Sequence, residues 1–360
     1  MKQSGVKAFI DRNALLLAMI LGAVGFPIFR HLTCLLPPMI FLMLFFTFCK
    51  VNPLDLRLHR WHWLVLTIQL ILTGLTFYGV EWGLQLLNRI YPLSPNAIHT
   101  IAQGIMVCVI MPTATAAPII AGKLGGSIQN LTAFTLLSNI ATAIVVPAFF
   151  PIVNPEAGID FINAAWMILR KVAPLLIGPF LSAWILRVAY NAYQRKHNSN
   201  KTFSLSHTWA TLPFYLWAGT LIILMAEITY TLIHQHYSAM TIFALCLGAL
   251  LTCTVQFLLG RWIGWHFPAP NKGEDYHDVL IDPNAANYSI AQVSQITAGQ
   301  AFGQKNTTLG VWMAQTYLLP IAAIGPAAYI IWQNLINSIQ LSMAAKHKQN
   351  TTTQETTSLK

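Results

Sequence analysis

Charged side chains are scarce. Asp, Glu, Lys and Arg make up 9% of the 360 residues, against roughly a quarter in an ordinary soluble domain. Acids are the scarcer sign, 11 against 21 Lys and Arg. Such a shortage argues against a water-soluble fold of this length. The formal net charge of +10 brings no nucleic-acid surface with it, because the cations lie singly between apolar runs. Cysteines are few and unpatterned. Cys34, Cys49, Cys108, Cys246 and Cys253 stand at no metal or disulfide spacing and read as inert thiols packed in helices. Histidines 59, 62, 234 and 236 sit at loop edges without ligand spacing, which suits interfacial or crevice-lining roles. The first apolar run, Asn13 to Phe29, has no well-placed small-residue cleavage site and is read as a retained span.

What the sequence has in quantity is apolar length. Hydrophobic residues make up 55% of it, in runs near the roughly 20 residues that cross a bilayer. Ten spans are expected, at approximately 12–30, 36–51, 61–82, 98–123, 128–153, 163–193, 208–234, 239–266, 285–317 and 320–344. With both termini cytoplasmic, the external segments carry only Arg30, Arg89, Arg170 and Lys171. The other cations outside the spans fall on the inner side, as the positive-inside rule requires. The fold class that follows is an all-α membrane protein, placed by style in a bacterial inner membrane. Five spans fill 1–153 and five fill 161–344, and an odd number per repeat inverts the second copy. Residues 345–360, rich in Thr, Gln and Lys, are expected to form a disordered cytoplasmic tail.

Two spans carry interruptions. Met111-Pro-Thr-Ala-Thr-Ala-Ala-Pro118 places Pro112 and Pro118 six residues apart, and proline removes a donor and clashes one turn back. Gly299-Gln-Ala-Phe-Gly-Gln-Lys-Asn-Thr-Thr308 lies about 187 residues later, with Gly299 and Gly303 as the matching breaks. Broken backbone at membrane depth needs protein or a polar cavity around it, and paired breaks point to a transport site. The ninth span is also polar, with Asn287, Gln292, Ser294, Gln295, Thr297, Gln300, Gln304, Asn306 and Thr307. Lys305, inside that break, and Glu227, in the seventh span, are the ionisable residues buried in spans, and such residues are functional candidates by default.

These residues bring a family into view. The chain resembles the bile acid:sodium symporter family over roughly 12–344. The resemblance is carried by Gly303-Gln-Lys-Asn-Thr-Thr-Leu309, similar to that family's Gly-Met-Gln-Asn-Ser-x-Leu. It is carried too by Gln69 in Ile68-Gln-Leu-Ile-Leu-Thr-Gly-Leu75, by Ile168-Leu-Arg-Lys-Val-Ala-Pro-Leu-Leu-Ile-Gly178, and by Gln256-Phe-Leu-Leu-Gly-Arg-Trp-Ile-Gly-Trp265. It implies a ten-helix fold of panel and core domains, with the fourth and ninth helices broken and crossing near mid-membrane. Departures are specific. The family's sodium-binding glutamate is replaced by Ala301, its glutamine by Lys305, and two further ligand positions by Ala117 and Pro118. An ammonium about 4 Å from a sodium ion would be repelled by about 4 kcal/mol at an effective dielectric of 20, which argues against sodium here.

The resulting expectation is a secondary transporter of a small organic anion, without cofactor or bound metal and with Lys305 replacing the sodium charge. Loss of the lysine proton in one facing state would couple transport to protons. The substrate and coupling site is assigned to Lys305, Asn306, Gln304, Thr307, Thr115, Thr113, Gln69, Ser138, Asn139, Thr142, Thr135 and Glu227. One alternative keeps sodium coupling through Asn306, Thr135, Ser138 and Gln69. Another class, a membrane-embedded enzyme or a sensor, lacks the grouped catalytic carboxylates or the soluble signalling domain it would need.

Overall fold

A computed structural model describes residues 17–49, 56–89, 93–155, 159–197, 203, 207–234, 238–269 and 288–358, and among them every regular element is helical. Residues 17–24 form α1. There follow α2 (Phe26–Phe29), α3 (Leu36–Phe48), α4 (Arg60–Leu87), α5 (Pro95–Ile110), α6 (Ala117–Leu124), α7 (Ile128–Val153), α8 (Phe161–Leu176) and α9 (Gly178–Lys196). The rest are α10 (His207–His234), α11 (Ala239–His266), α12 (Ile290–Gly303), α13 (Thr307–Tyr317) and α14 (Ile324–Ser358). Six helical stretches are long and apolar enough to cross a membrane, so this is an all-α, multi-pass membrane protein.

Helix starts follow local chemistry. Ser94, Ser127, Asp160, Ser238 and Ser289 each cap the next helix by accepting a backbone N–H, and Ser289 with Gln292 closes a capping box. α6 stops at Gly125, whose φ of 89° is the left-handed turn that glycine takes without strain.

Residues 30–35, expected as the loop between the first two spans, form a 3-10 turn. The chain reverses at this turn: Gly22 lies against Ile222 and Arg30 over the Tyr230 ring, parallel to α10, whereas Met39 lies against Gly219 and Phe46 stacks on Trp209, antiparallel to it. The expected disordered tail is instead helical as far as Ser358. Extending an anchored helix adds a hydrogen bond per residue without the cost of a new nucleus. The segment from Lys272 to Asp282, whose four carboxylates suit a cytoplasmic loop, lies outside the described residues.

α3 packs on α9 and α10, α11 on α5, α12 and α14, and α4 on α5, while α7 packs on α8 and so joins the two groups. A core cluster of Trp61, Val65, Ala117, Leu131, Phe134 and Phe302 closes around the interrupted helices. Outward rows such as Ile71, Leu75, Tyr78 and Trp82 on α4 stay exposed, as a lipid-facing surface should.

Candidate functional site

Both expected interruptions are present, with altered limits. Backbone between Ile110 and Ala117, and again between Gly303 and Thr307, leaves the helix. Pro112 stands in the first break. Pro118 does not, since it occupies the first turn of α6, where a missing N–H costs nothing. Gly299 is likewise corrected: it lies within α12, and Gly303 is that helix's last residue.

At the breaks the two segments cross and are tied through their main chains. Thr113 and Lys305 form an antiparallel bridge. The Ala114 N–H donates to Gln304 O at 3.0 Å, and the Asn306 N–H donates to Pro112 O at 2.8 Å. Thr113 Oγ1 adds a bond to Ala301 O at 2.7 Å, and its own N–H donates to Ser138 Oγ at 3.1 Å. Lys305 N–H donates to Gln333 Oε1 on α14 at 3.0 Å.

Side chains satisfy carbonyls that the breaks release. Proline at 112 cannot bond the carbonyl one turn back, and Gln256 Nε2 donates to that Cys108 oxygen instead at 3.1 Å. Gln69 Nε2 donates to Met111 O at 3.1 Å, and Thr142 Oγ1 to Ile110 O at 3.3 Å. Tyr329 Oη donates to Gly303 O at 2.8 Å and accepts from Gln256 Nε2 at 3.2 Å. Gln304 joins a carboxamide row, its Nε2 donating to Gln300 Oε1 while Gln300 donates to Gln340. Buried backbone polar groups are costly unless paired, and these substitutions explain why an apolar protein holds so many amides in one place.

Five polar atoms of this region are sealed without a hydrogen-bond partner: Lys305 Nζ, Gln69 Oε1, Asn139 Oδ1, Gln256 Oε1 and Asn306 Nδ2. Lys305 is 0% exposed. Its amine lies 5.1 Å from the centre of the Phe302 ring. It bonds neither Gln69 Oε1 nor Asn139 Oδ1, both of which are also without a hydrogen-bond partner.

The remaining expected residues divide. Thr135 and Asn139 stack along α7, with Thr135 bonded to Leu131 O and Asn139 Nδ2 to Thr135 O. Asn306 caps α13 by accepting from the Leu309 N–H, and Thr307 is buried at that helix's start. Thr115 is half-buried and Ala116 exposed, so this is the open side of the crossing. Glu227 is half-buried on α10 and shares no hydrogen bond with the crossing. Gln256, Tyr329 and Gln333 belong to the site and were not among the expected residues.

Glycines set how closely α11 and α12 approach. A Cβ on Gly260 would lie 2.4 Å from Ala298 O, and one on Gly264 would lie 2.1 Å from Ser294 O. Reciprocally, the Phe257 ring covers Gly303 and the Arg261 stem covers Gly299. Gly299 is therefore a seat for a side chain rather than a helix break. Two small-xxx-small faces meet here, the packing motif that lets membrane helices touch through their backbones.

Comparison with known protein families and with characterised proteins finds no match, so function is argued from the site itself.

Proposed function

We propose that the protein is a secondary active transporter that carries a small organic anion by alternating access, with the fixed charge of Lys305 in place of a coupling sodium ion. The observation that carries this reading is the sealed, unpartnered amine at the crossing of two interrupted helices. Burying an unpaired ammonium costs several kcal/mol, and a fold selected for stability alone would fill that space with an apolar side chain. The N-terminal ends of α6 and α13 add positive dipole at the crossing. An anion admitted at Thr115 and Ala116 would meet both.

The architecture that goes with this reading has ten spans in two inverted repeats of five, with both termini cytoplasmic. α1–α3 and α8–α10 form a panel against which a core of α4–α7 and α11–α14 rocks. The packing of α3 on α9 and α10 and of α11 on α5, α12 and α14 supports that division, with α7 against α8 as the contact between the two parts.

Uptake into proteoliposomes tests it. Transport of a carboxylate substrate should persist when choline replaces sodium, and Lys305→Gln and Lys305→Ala should abolish or uncouple it. Unchanged, equally pH-dependent uptake by both variants rules out the role given to the lysine. A second reading, sodium coupling, draws on one observation: Gln69 Oε1 and Asn139 Oδ1 are buried acceptors without donors, as cation ligands would be. Collapse of uptake in choline would favour it.

A further inference from the structure

We propose that the groove beside Arg261 binds the phosphodiester headgroup of an anionic phospholipid. This groove, of about 370 Å³, opens on the outer face of α11 and α12 and is lined by Leu258, Arg261, Trp262, Trp265, His266 and Gln295. Its position, composition and charge all fit one occupant.

Position comes from helix length. α11 has 28 residues, about 42 Å at 1.5 Å per residue, against a hydrocarbon thickness of about 30 Å. Centred in the bilayer, it overhangs by about 6 Å at each end. Arg261 lies five residues before the C-terminal His266, about 7.5 Å from the end, and so at the boundary between acyl chains and headgroups. Trp262 and Trp265, both exposed, are the side chains expected at that depth.

Among the described residues the charge has no partner. Arg261 forms no hydrogen bond or ion pair, whereas Arg187 donates to Cys49 O and lies over Phe203. No acid is among the described residues that line the groove. The arginine stem is held across Gly299, where even a Cβ would come within 2.5 Å of Cγ, so the guanidinium is anchored at the groove. His266 is fixed beside it by an Nδ1 bond to Trp262 O at 2.9 Å, and Gln295 offers a carboxamide.

A track for a hydrocarbon chain leads away from this head site. Leu247, Leu251, Val255 and Leu258 are exposed on successive turns of the same face of α11. Free phosphate would use only the single cation, worth little in contact with water. A phospholipid uses the cation and the track together, and basic pockets beside membrane helices are where anionic headgroups settle.

Thermal unfolding of the detergent-solubilised full-length chain tests the proposal, with phosphatidylglycerol, phosphatidylcholine or inorganic phosphate added. Phosphatidylglycerol should raise the midpoint more than phosphatidylcholine, and phosphate should leave it unmoved. Arg261→Gln should raise the phosphatidylglycerol concentration for half-effect about fivefold, the worth of one arginine at a membrane surface, while Arg187→Gln should not. Equal effects of the two lipids, full anionic preference in Arg261→Gln, or reproduction by phosphate alone would overturn it. A second measurement is independent of whether Arg261→Gln folds. Bromine-labelled phosphatidylglycerol should quench the tryptophans in vesicles more than labelled phosphatidylcholine, and the excess should vanish in Trp262→Phe/Trp265→Phe. Equal quenching by the two lipids also overturns it.

Discussion

Replacing Gly264 by alanine should destabilise the protein, although alanine is the better helix former. The added Cβ would stand 2.1 Å from Ser294 O, 2.6 Å from its carbonyl carbon and 2.8 Å from Gln295 Cα. All three are backbone atoms of α12, so no side chain can turn aside. Restoring an ordinary contact parts the helices by about 1.3 Å, and a gap of that order forfeits about half of each carbon contact's ~0.1–0.2 kcal/mol. Over some tens of contacts this is about 1–2 kcal/mol, to which overpacking strain adds about 1–3 kcal/mol. Improved helix propensity returns about 0.5–1 kcal/mol. The net loss is about 2–3 kcal/mol. Gly83→Ala is the control, because nothing lies within 4 Å of a Cβ there and only the propensity gain should register. Thermal unfolding of both variants in detergent, followed by tryptophan fluorescence, makes the comparison. A Gly264→Ala midpoint at or above that of Gly83→Ala would refute the account of α11–α12 packing.

Lys305→Met should raise the unfolding midpoint, by about 1–3 kcal/mol for one unpaired buried polar group removed, while transport is lost; a lower midpoint would mean the amine has a partner. Tyr329→Phe leaves Gly303 O without its donor and should cost about 1–3 kcal/mol, measured in the same unfolding assay. Gln333→Leu strands the Lys305 N–H and should cost a similar ~1–3 kcal/mol, while faster hydrogen exchange at that amide would identify the cause.

Hydropathy alone located most of the helices, because an apolar run between polar ends has one outcome in a bilayer. Ile128–Val153 and Ala239–His266 match their expected spans at both ends. Breaks were legible where proline made them, since the lost donor at Pro112 is a local fact of covalent structure. Glycine was ambiguous. Gly299 reads equally as a loosened helix or as a close contact, and only the Arg261 stem across it decides. A small-xxx-small spacing at 260/264 and 299/303 was the available signal, and it favoured contact. Lys305 was visible as a cation in an apolar span, but the direction of its amine was not, because that depends on what α5, α11 and α14 present. Gln256, Tyr329 and Gln333 escaped for the same reason: each serves a carbonyl or amide on another helix, and sequence does not pair them.

The main-chain ties at the crossing bear on how the protein is made. Residues 112–114 reach the membrane long before 304–306 are synthesised, so Pro112 O and the Ala114 N–H begin life in lipid with no mate. Insertion of the early half therefore stays provisional, its broken segment held in a wetter or shielded position until the late one arrives. A chain released after residue 153 should accordingly be degraded rather than accumulate, and supplying 161–360 from a second transcript should rescue it.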